Sequence, residues 1–209
     1  MKIKNTMEYT ERQQEIIDKA LELIAGGGIQ NLTIKNLAGA IGVTEPALYR
    51  HFASKYAILD AILESFKDTA SEVLEDEDKK DESSLDKIEH FIMDRYRRAA
   101  ADPNMAKVMF SEEIFQDDER LSAKVLEIMH SHKDKIHEII IEGQERGEIR
   151  CDFDTLALFR VIFGPVRLLI KQWCLSGCRF DLVHEGDALW QVTKKMIKSE
   201  NSAYPEINI

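Results

Sequence analysis

Apolar residues recur every three or four positions along most of the chain, which is the spacing of one face of an α-helix. No run alternates as a half-buried strand would, so the predicted fold class is all-α. The pattern predicts nine helices, at about residues 8–25, 33–41, 44–52, 54–74, 84–99, 102–115, 118–146, 154–175 and 184–198.

Breaks in this pattern separate the predicted helices. Residues 26–28 are all glycine and should end the first helix, since glycine strongly disfavours helix. Residues 75–82 contain no apolar side chain and are typical of a solvated loop. The eighth helix is apolar nearly all round, so it must be buried on two faces, and Gly164-Pro165 should kink it.

The second and third helices are short and lie on either side of a glycine turn. Thr33 can cap the first of them, and Gly42 supplies the positive φ of a tight turn. Thr44 can then cap the next helix, which tolerates Pro46 in its first turn. This spacing predicts a helix-turn-helix, whose second helix enters the major groove of DNA, although a plain helical hairpin would explain the small and apolar residues alone.

The residues around this turn resemble the TetR family of transcriptional repressors. The resemblance covers about the first quarter of the chain, and beyond it no motif names a ligand. It implies an all-α fold, a homodimer, binding to an operator in double-stranded DNA, and release by a small molecule. The residues that carry it are Leu32-Thr33, Leu37-Ala38, Gly42-Val43-Thr44, Ala47-Leu48-Tyr49-Arg50-His51-Phe52, Ser54-Lys55 and Leu59.

The resemblance also implies roles for single residues. Positions matching Thr33, Thr44, Tyr49, His51 and Lys55 contact phosphates, and those matching Glu45, Pro46, Ala47 and sometimes Arg50 face base edges. The chemistry agrees, because free N–H groups at a helix N-terminus favour a phosphate and apolar side chains can contact a thymine methyl. Glu45 could instead be a negative selector or merely solvated, and Arg50 could be a solvated surface arginine.

Charge is divided unevenly along the chain. Residues 1–60 hold seven Lys or Arg and seven Asp or Glu, so the other 21 basic and 31 acidic residues account for the net charge of −10. A polyanion would repel every part of such a protein except its neutral N-terminal part. The charge therefore permits DNA binding there and argues against phosphate contacts from the rest.

We expect two parts, a helix-turn-helix DNA-binding domain at residues 1–53 and an antiparallel helical ligand-binding and dimerisation domain at residues 54–209. The fourth helix should belong to both, so that a ligand among helices five to eight can tilt it. The candidate pocket residues favour a mostly apolar effector, aromatic or acyl, unless they form a closed core; they are Phe66, Phe91, Met109, Phe110, His132, Phe159 and Phe163.

Dimerisation is expected through the eighth and ninth helices, which the resemblance pairs with their symmetry mates as a four-helix bundle. The candidate contacts are Leu169, Trp173, Leu189 and Val192. Two reading helices one DNA turn apart would require an inverted-repeat operator.

The main alternative is a helical-bundle metalloenzyme. Glu127-x-x-His130 matches the carboxylate–histidine pattern of di-iron proteins, but the second such motif that the site requires is absent from the sequence. A solvated helix face explains the pair as well. His132 falls in line with apolar residues and is either a satisfied core histidine or a polar group facing a ligand. A constitutive architectural DNA binder is a third possibility, which predicts no pocket.

Composition adds little to these expectations. Hydrophobic residues make up 44% of the chain, enough for a core, and no apolar run is long enough to cross a membrane. The first residues lack the apolar region of a signal peptide, and three cysteines fit a reducing compartment, so we expect a cytoplasmic protein without a membrane partner. Cys174 and Cys178 lack the spacing of a zinc site, and neither a catalytic triad nor a cofactor motif is visible.

Overall fold

The computed structural model describes residues 9–74 and 82–199, except for the side chains of residues 68–74, 112 and 113. These residues form an all-α fold, as predicted. The helices are α1 (Glu11–Gly27), α2 (Ile34–Ile41), α3 (Glu45–Tyr49), α4 (Lys55–Leu74), α5 (Ser84–Ala101), α6 (Pro103–Met109), α7 (Glu119–Glu145), α8 (Thr155–Leu175) and α9 (Leu182–Ile197). Short 3-10 turns lie at Ile29–Asn31 and Glu112–Phe115.

The first helix starts and ends later than its sequence suggested. Thr10 and Gln13 form a reciprocal capping box at its N-terminus, and residue 8 lies outside the described part of the chain. The helix continues through Gly26 and Gly27 and ends only at Gly28, whose φ is +75°. The amide of Asn31 donates to the Leu23 carbonyl at 3.0 Å, which stabilises the last turn despite its glycines.

The helix-turn-helix forms as predicted, with one difference in its capping. Thr33 Oγ1 accepts a hydrogen bond from the Asn36 amide, and Gly42 is left-handed with a φ of +77°. Thr44 occupies the N-cap position of α3, but its hydroxyl forms no capping hydrogen bond. The predicted capping role of Thr44 is therefore wrong, and its hydroxyl remains available to another acceptor.

Several other helix boundaries also differ from the predicted ones. α6 ends at Met109 rather than at Phe115, because the following segment tightens into a 3-10 turn. α9 begins at Leu182, where Asp181 accepts hydrogen bonds from two backbone amides. α8 runs unbroken through Pro165. The polar run predicted as a loop lies outside the described residues, apart from its last residue.

Two apolar cores fill the molecule. The first lies within the three-helix reading head, which we define as residues 9–53, and continues into α4 through Ile58, Ile62 and Leu63. Side chains from α6, the 3-10 turn after it and α7 join the same core. The second core lies among α5–α9, which together with α4 we call the body. The reading head is thus packed directly against the body.

The second core brings α5 and α9 unusually close. Gly186 is buried in α9, and a Cβ placed on it would lie 2.3 Å from Cδ2 of Tyr96. Beyond α9, backbone hydrogen bonds Arg150 N to Ile197 O and Ser199 N to Glu148 O join its end to the α7–α8 loop. Within the described residues, no helix combines the length and apolarity needed to span a membrane.

Candidate DNA-reading surface, effector cavity and subunit face

The residues predicted to contact DNA on and beside α3, the second helix of the helix-turn-helix, lie largely at the surface. Glu45, Pro46, Tyr49, Arg50 and His51 are exposed, and Tyr49 retains 48% of its accessible surface. None of their side chains forms a hydrogen bond or ion pair with another described residue. Thr33 and Thr44 are also exposed, whereas Ala47 is half-buried. The structure therefore brings these eight residues to one end of the molecule.

Lys55 differs from the other candidate contacts, because its ammonium is already engaged. It lies at the start of α4 and donates to the Ile29 carbonyl at 3.1 Å. Partial burial lowers the pKa of its ammonium. Next to it, Ser54 Oγ accepts a hydrogen bond from the Ala57 amide at 3.1 Å and so caps α4.

The body contains a cavity of about 380 Å³ that residues of α4, α5, α6, α7 and α8 line, and we call it the main cavity. This volume falls within the range of small-molecule sites, about 300–1,000 Å³. All seven residues predicted to line a pocket do line it: Phe66, Phe91, Met109, Phe110, His132, Phe159 and Phe163. The closed core considered as an alternative does not form.

Aromatic rings form a connected wall of the main cavity. Phe159 and Phe163 stack with their centroids 5.0 Å apart, and Phe91 meets Phe163 edge-on at 5.7 Å. His132 continues the wall, with its centroid 6.1 Å from that of Phe91 and 6.3 Å from that of Phe66. The wall is apolar except where the imidazole interrupts it.

His132 is the polar group placed deepest in this wall. Its Nε2 is buried and forms no hydrogen bond with the described residues. Burial lowers the pKa of the imidazole to about 4, helped by the nearby charges of Arg95, Lys135 and Lys67. The ring is therefore neutral at physiological pH, and its Nε2 lacks the hydrogen-bond partner that a satisfied core histidine would have.

Basic residues, which the sequence reasoning missed, also line the main cavity. They are Arg95, Lys133, Arg160 and Arg167, and no Asp or Glu occurs among the described lining residues. Arg95 lies over the Phe91 ring and Arg167 over the Phe110 ring, at 5.1 and 5.6 Å from the centroids. Burial lowers the pKa of the Arg167 guanidinium. Arg160 and Arg167 lie three residues before and four residues after Phe163 on α8. This helical spacing is the sequence signal that could have indicated the basic lining.

Polar contacts also join α4 to α7. Lys124 bonds to Asp60 and, at 2.7 Å, to Glu64, one turn apart on α4. Arg120 lies 3.9 Å above the centroid of the Tyr56 ring. These contacts connect the helix that carries His132 to the helix that begins beside the reading head.

The residues of the metalloenzyme alternative are engaged otherwise. Glu127 accepts from the Lys67 ammonium at 2.7 Å, which lowers the pKa of its carboxyl, and His130 lines the main cavity. Among the described residues, no three His, Cys, Asp or Glu side chains lie close enough to hold a metal ion. The cysteines at 151, 174 and 178 are unbridged.

One outer face of α8 and α9 is apolar and exposed. It includes Val161, Leu168 and Leu175 on α8, and Val192 and Met196 on α9. Of the predicted dimer contacts, Val192 is 57% exposed, and Leu169 and Leu189 are half-buried.

Trp173 does not share that face. It is only 4% exposed, and its indole N–H donates to the Phe180 carbonyl at 3.0 Å. Trp173 is therefore covered within a single chain, and its predicted dimer contact stays a prediction that a single chain does not test.

Comparison with known families agrees with this architecture. Residues 16–62 match the model described as "Bacterial regulatory proteins, tetR family". Residues 63–196 match the model described as "YsiA-like protein, C-terminal region", which covers more than half of the chain. The chain belongs to the TetR family and is a ligand-responsive, DNA-binding transcriptional regulator.

Two kinds of relative stand out among individual proteins. The fatty acid metabolism regulator protein of Bacillus subtilis is 26% identical over 172 residues, covering 82% of this chain and 88% of that one. The nucleoid occlusion factor SlmA of Idiomarina loihiensis is 25% identical over 191 residues, covering 90% and 96%.

Solved structures support the same fold. The fatty acid degradation regulator FadR of Bacillus halodurans superposes with a TM-score of 0.78 at 21% identity, covering 90% of this chain and 96% of that one. The transcriptional regulator FadR of Bacillus subtilis, solved in complex with stearoyl-CoA, gives 0.74 at 26% identity, covering 88% and 98%.

Proposed function

We propose that this regulator is a repressor that leaves its operator when the main cavity takes up a long acyl chain carrying an anionic head, as in an acyl-CoA thioester. One observation carries the proposal: the cavity is walled by aromatic rings, and every ionisable group in its described lining is basic. An apolar chain fits the rings, and an anion fits the basic groups.

The placement of the cations sharpens this choice. Lys133 and Arg160 lie beside the histidines and phenylalanines of the same cavity, and Arg167 lies next to Phe110. Lys133 and Arg167 are half-buried and Arg160 is exposed. Cations beside apolar surface favour a ligand with both an apolar and an anionic part over a neutral hydrocarbon. The relative from Bacillus subtilis was solved with stearoyl-CoA, a molecule of this kind.

For DNA, the proposal assigns phosphate contacts to Thr33, Thr44, Tyr49, His51 and Lys55. The freedom of the Thr44 hydroxyl and the exposure of Tyr49 support it. Glu45, Pro46, Ala47 and Arg50 would then face base edges in the major groove. Two such heads about 34–36 Å apart would read an inverted repeat.

A homodimer through α8 and α9 supplies the second head. Val161, Leu168 and Met196 are large apolar side chains that a single chain leaves exposed, and burying them would stabilise a four-helix interface. A permanent interface of this kind should bury well over about 1,200 Å² in total. In sedimentation at micromolar concentration, a monomeric mass would contradict the dimer, and Leu168→Glu should produce one.

The contacts between α4 and α7 give the route of regulation. A ligand beside His132 and Phe66 presses on α7 and α4 together, because Lys124 and Arg120 hold the two helices to each other. A tilt of α4 would change the spacing of the two heads. Regulation then depends on the difference in ligand affinity between the two spacings, typically about 1–3 kcal/mol.

The test is a titration of the operator-bound dimer, with the operator selected from a random duplex pool. Stearoyl-CoA should release the DNA, whereas coenzyme A without the chain should not. Arg167→Met should weaken the response, and Arg179→Met, which removes an equal charge from an exposed turn, should not. Stearoyl-CoA that binds without changing operator affinity would refute the coupling.

A further inference from the structure

A second cavity, of about 390 Å³, lies between the reading head and the body, and we call it the junction cavity. The head contributes the end of α1 and the 3-10 turn after it, including Ile29 and Gln30. The body contributes α6 and the last turns of α8, including Lys107 and Lys171. Anything bound there would contact both parts of the protein at once.

The charged groups of the junction cavity are two lysines. Neither Lys107 nor Lys171 forms an ion pair or hydrogen bond with a described side chain, and no Asp or Glu occurs among the described lining residues. Several other lysines of the body are paired, as Lys124 is with Glu64. In a protein of net charge −10, two such lysines at one cavity favour an anion.

The two cavities share a wall. Phe110 lines both of them, with the Arg167 guanidinium over its ring on the side of the main cavity. Lys171 follows Arg167 by one turn of α8 and lines the junction cavity. Apolar residues such as Ile24, Val108 and Ile114 complete the junction cavity, so its lining suits a molecule with a short apolar part and an anionic group.

We propose that the junction cavity is a binding site for an organic anion with an apolar part, held by Lys107 and Lys171. The anion has two possible sources: a free short-chain acid, or the head of a longer ligand whose chain passes Phe110 into the main cavity. Binding at this site does not depend on the proposed function, but its effect on DNA rests on it.

The position of the cavity predicts that its occupant acts on the DNA contacts. Ile29 lines the cavity, and its carbonyl accepts the hydrogen bond from Lys55, a proposed phosphate contact. A ligand that shifts the 3-10 turn would therefore shift the partner of Lys55. This route runs through α1 and its following turn, separately from the α4–α7 contacts.

The experiment titrates the full chain with octanoate and, separately, with stearoyl-CoA by calorimetry. The variants are Lys107→Met and Lys171→Met, which keep an apolar stem, and Lys19→Met, which removes a lysine from an exposed ion pair of α1. Each cavity variant should lower the affinity for the anion by roughly 3- to 10-fold, and Lys19→Met should leave this affinity unchanged. Stearoyl-pantetheine, which lacks the phosphates, should bind all variants alike.

The outcomes distinguish the two possible sources of the anion, and they separate this binding site from the proposed function. Lysine dependence for octanoate identifies a free acid, and lysine dependence for stearoyl-CoA alone identifies a head group. The site is refuted if neither probe loses affinity in either lysine variant, or if neither binds the wild type. If the affinity for the operator does not change when ligand is bound, the proposed function is contradicted. The ligand affinities of the lysine variants would still test the junction cavity as a binding site.

Discussion

In the reading head, Glu45, Tyr49 and Arg50 project from α3 without bonding to another described side chain, whereas in the body several lysines hold a carboxylate. Lys194 bonds to Glu89 at 2.7 Å and to Asp86 at 3.1 Å, which draws α9 against α5. The hydrogen bond from Ser83, followed by that from Lys194, lowers the pKa of the Asp86 carboxyl. Burial opposes the lowering at Glu89, where the bond from Lys194 helps to keep the pKa of the carboxyl below its usual value. Lys194 and Lys124 of the body thus join pairs of helices, whereas the polar side chains of α3 remain without a bonding partner among the described residues.

The interiors of the two parts differ in the same sense. Leu37, Leu48 and Ile17 fill the head and are almost inaccessible to solvent. The body keeps an open cavity beside its packed second core. Under the proposed function, a closely packed head would preserve the shape that reads DNA, and a cavity in the body would allow a ligand to select one arrangement of the helices. Sensing and reading would then need opposite kinds of packing.

The largest expected effect is the salt dependence of operator binding, which should come from the head alone. Ten phosphate contacts in the dimer set an upper limit of about −9 for the log–log slope, and at that limit affinity falls roughly 10³–10⁵-fold between 50 and 200 mM salt. Lys55, the permanent cation among the five proposed contacts of each subunit, supplies about −1 per subunit. The measurement is filter binding or fluorescence anisotropy across salt concentrations.

Two variants test whether that slope belongs to the head. Lys55→Ala should reduce its magnitude by about 1 per subunit, because one cationic phosphate contact is lost. Lys195→Gln, which removes a charge from an exposed position of α9, should leave the slope unchanged. Equal changes in both variants would contradict the division of roles between head and body.

The next largest effect concerns His132 and acid. Because burial lowers its native pKa to about 4 from 6.5, only the unfolded chain takes up the proton between those values, so the free energy of unfolding falls as pH falls. From pH 7.5 to 5 the loss should be about 2 kcal/mol. His132→Gln should remove this loss in urea unfolding, whereas His184→Gln, at an exposed position, should keep it. An equal acid loss in wild type and His132→Gln would refute the assignment.

Much of this architecture could be predicted from the sequence, because helical spacing and turn chemistry are local. The helix-turn-helix could be located from Thr33, Gly42 and the run Leu48–Lys55. The structure and the family match both confirm it. The seven pocket residues were also found correctly as cavity lining, since large aromatic side chains on the inner faces of several helices converge.

Other features depend on tertiary contacts that the sequence does not show. The chain continues its helix through Gly26, where the side-chain amide of Asn31 bonds back to the Leu23 carbonyl, and the buried indole of Trp173 donates to the Phe180 carbonyl. The junction cavity exists only because α6 and α8 face the end of α1. Local periodicity cannot predict any of these arrangements, because each joins residues through the packing of separate segments.

A third prediction tests how tightly the second core is packed. Gly186→Ala should destabilise the body, because the new Cβ would overlap the Tyr96 ring and force α9 away from α5. We expect a loss of about 1–3 kcal/mol in the free energy of unfolding. Gly39→Ala, in an exposed helical position with no atom within 4 Å, should be neutral or slightly stabilising. A similar melting temperature for both variants would show that α9 yields without cost.

The smallest expected effects distinguish two kinds of contact within the head. Tyr49→Phe removes one O–H from an exposed ring and should weaken every DNA sequence by a similar factor of a few-fold, because a phosphate contact carries no base information. Arg50→Ala should cost about 1–3 kcal/mol on the preferred operator and relax the preference at one base pair, because its guanidinium is free to bind a base edge. Both variants are compared on the operator and on single-base-pair substitutions of it. If Arg50→Ala also weakens all of these sequences alike, Arg50 contacts only the backbone and the reading of bases falls to Glu45, Pro46 and Ala47.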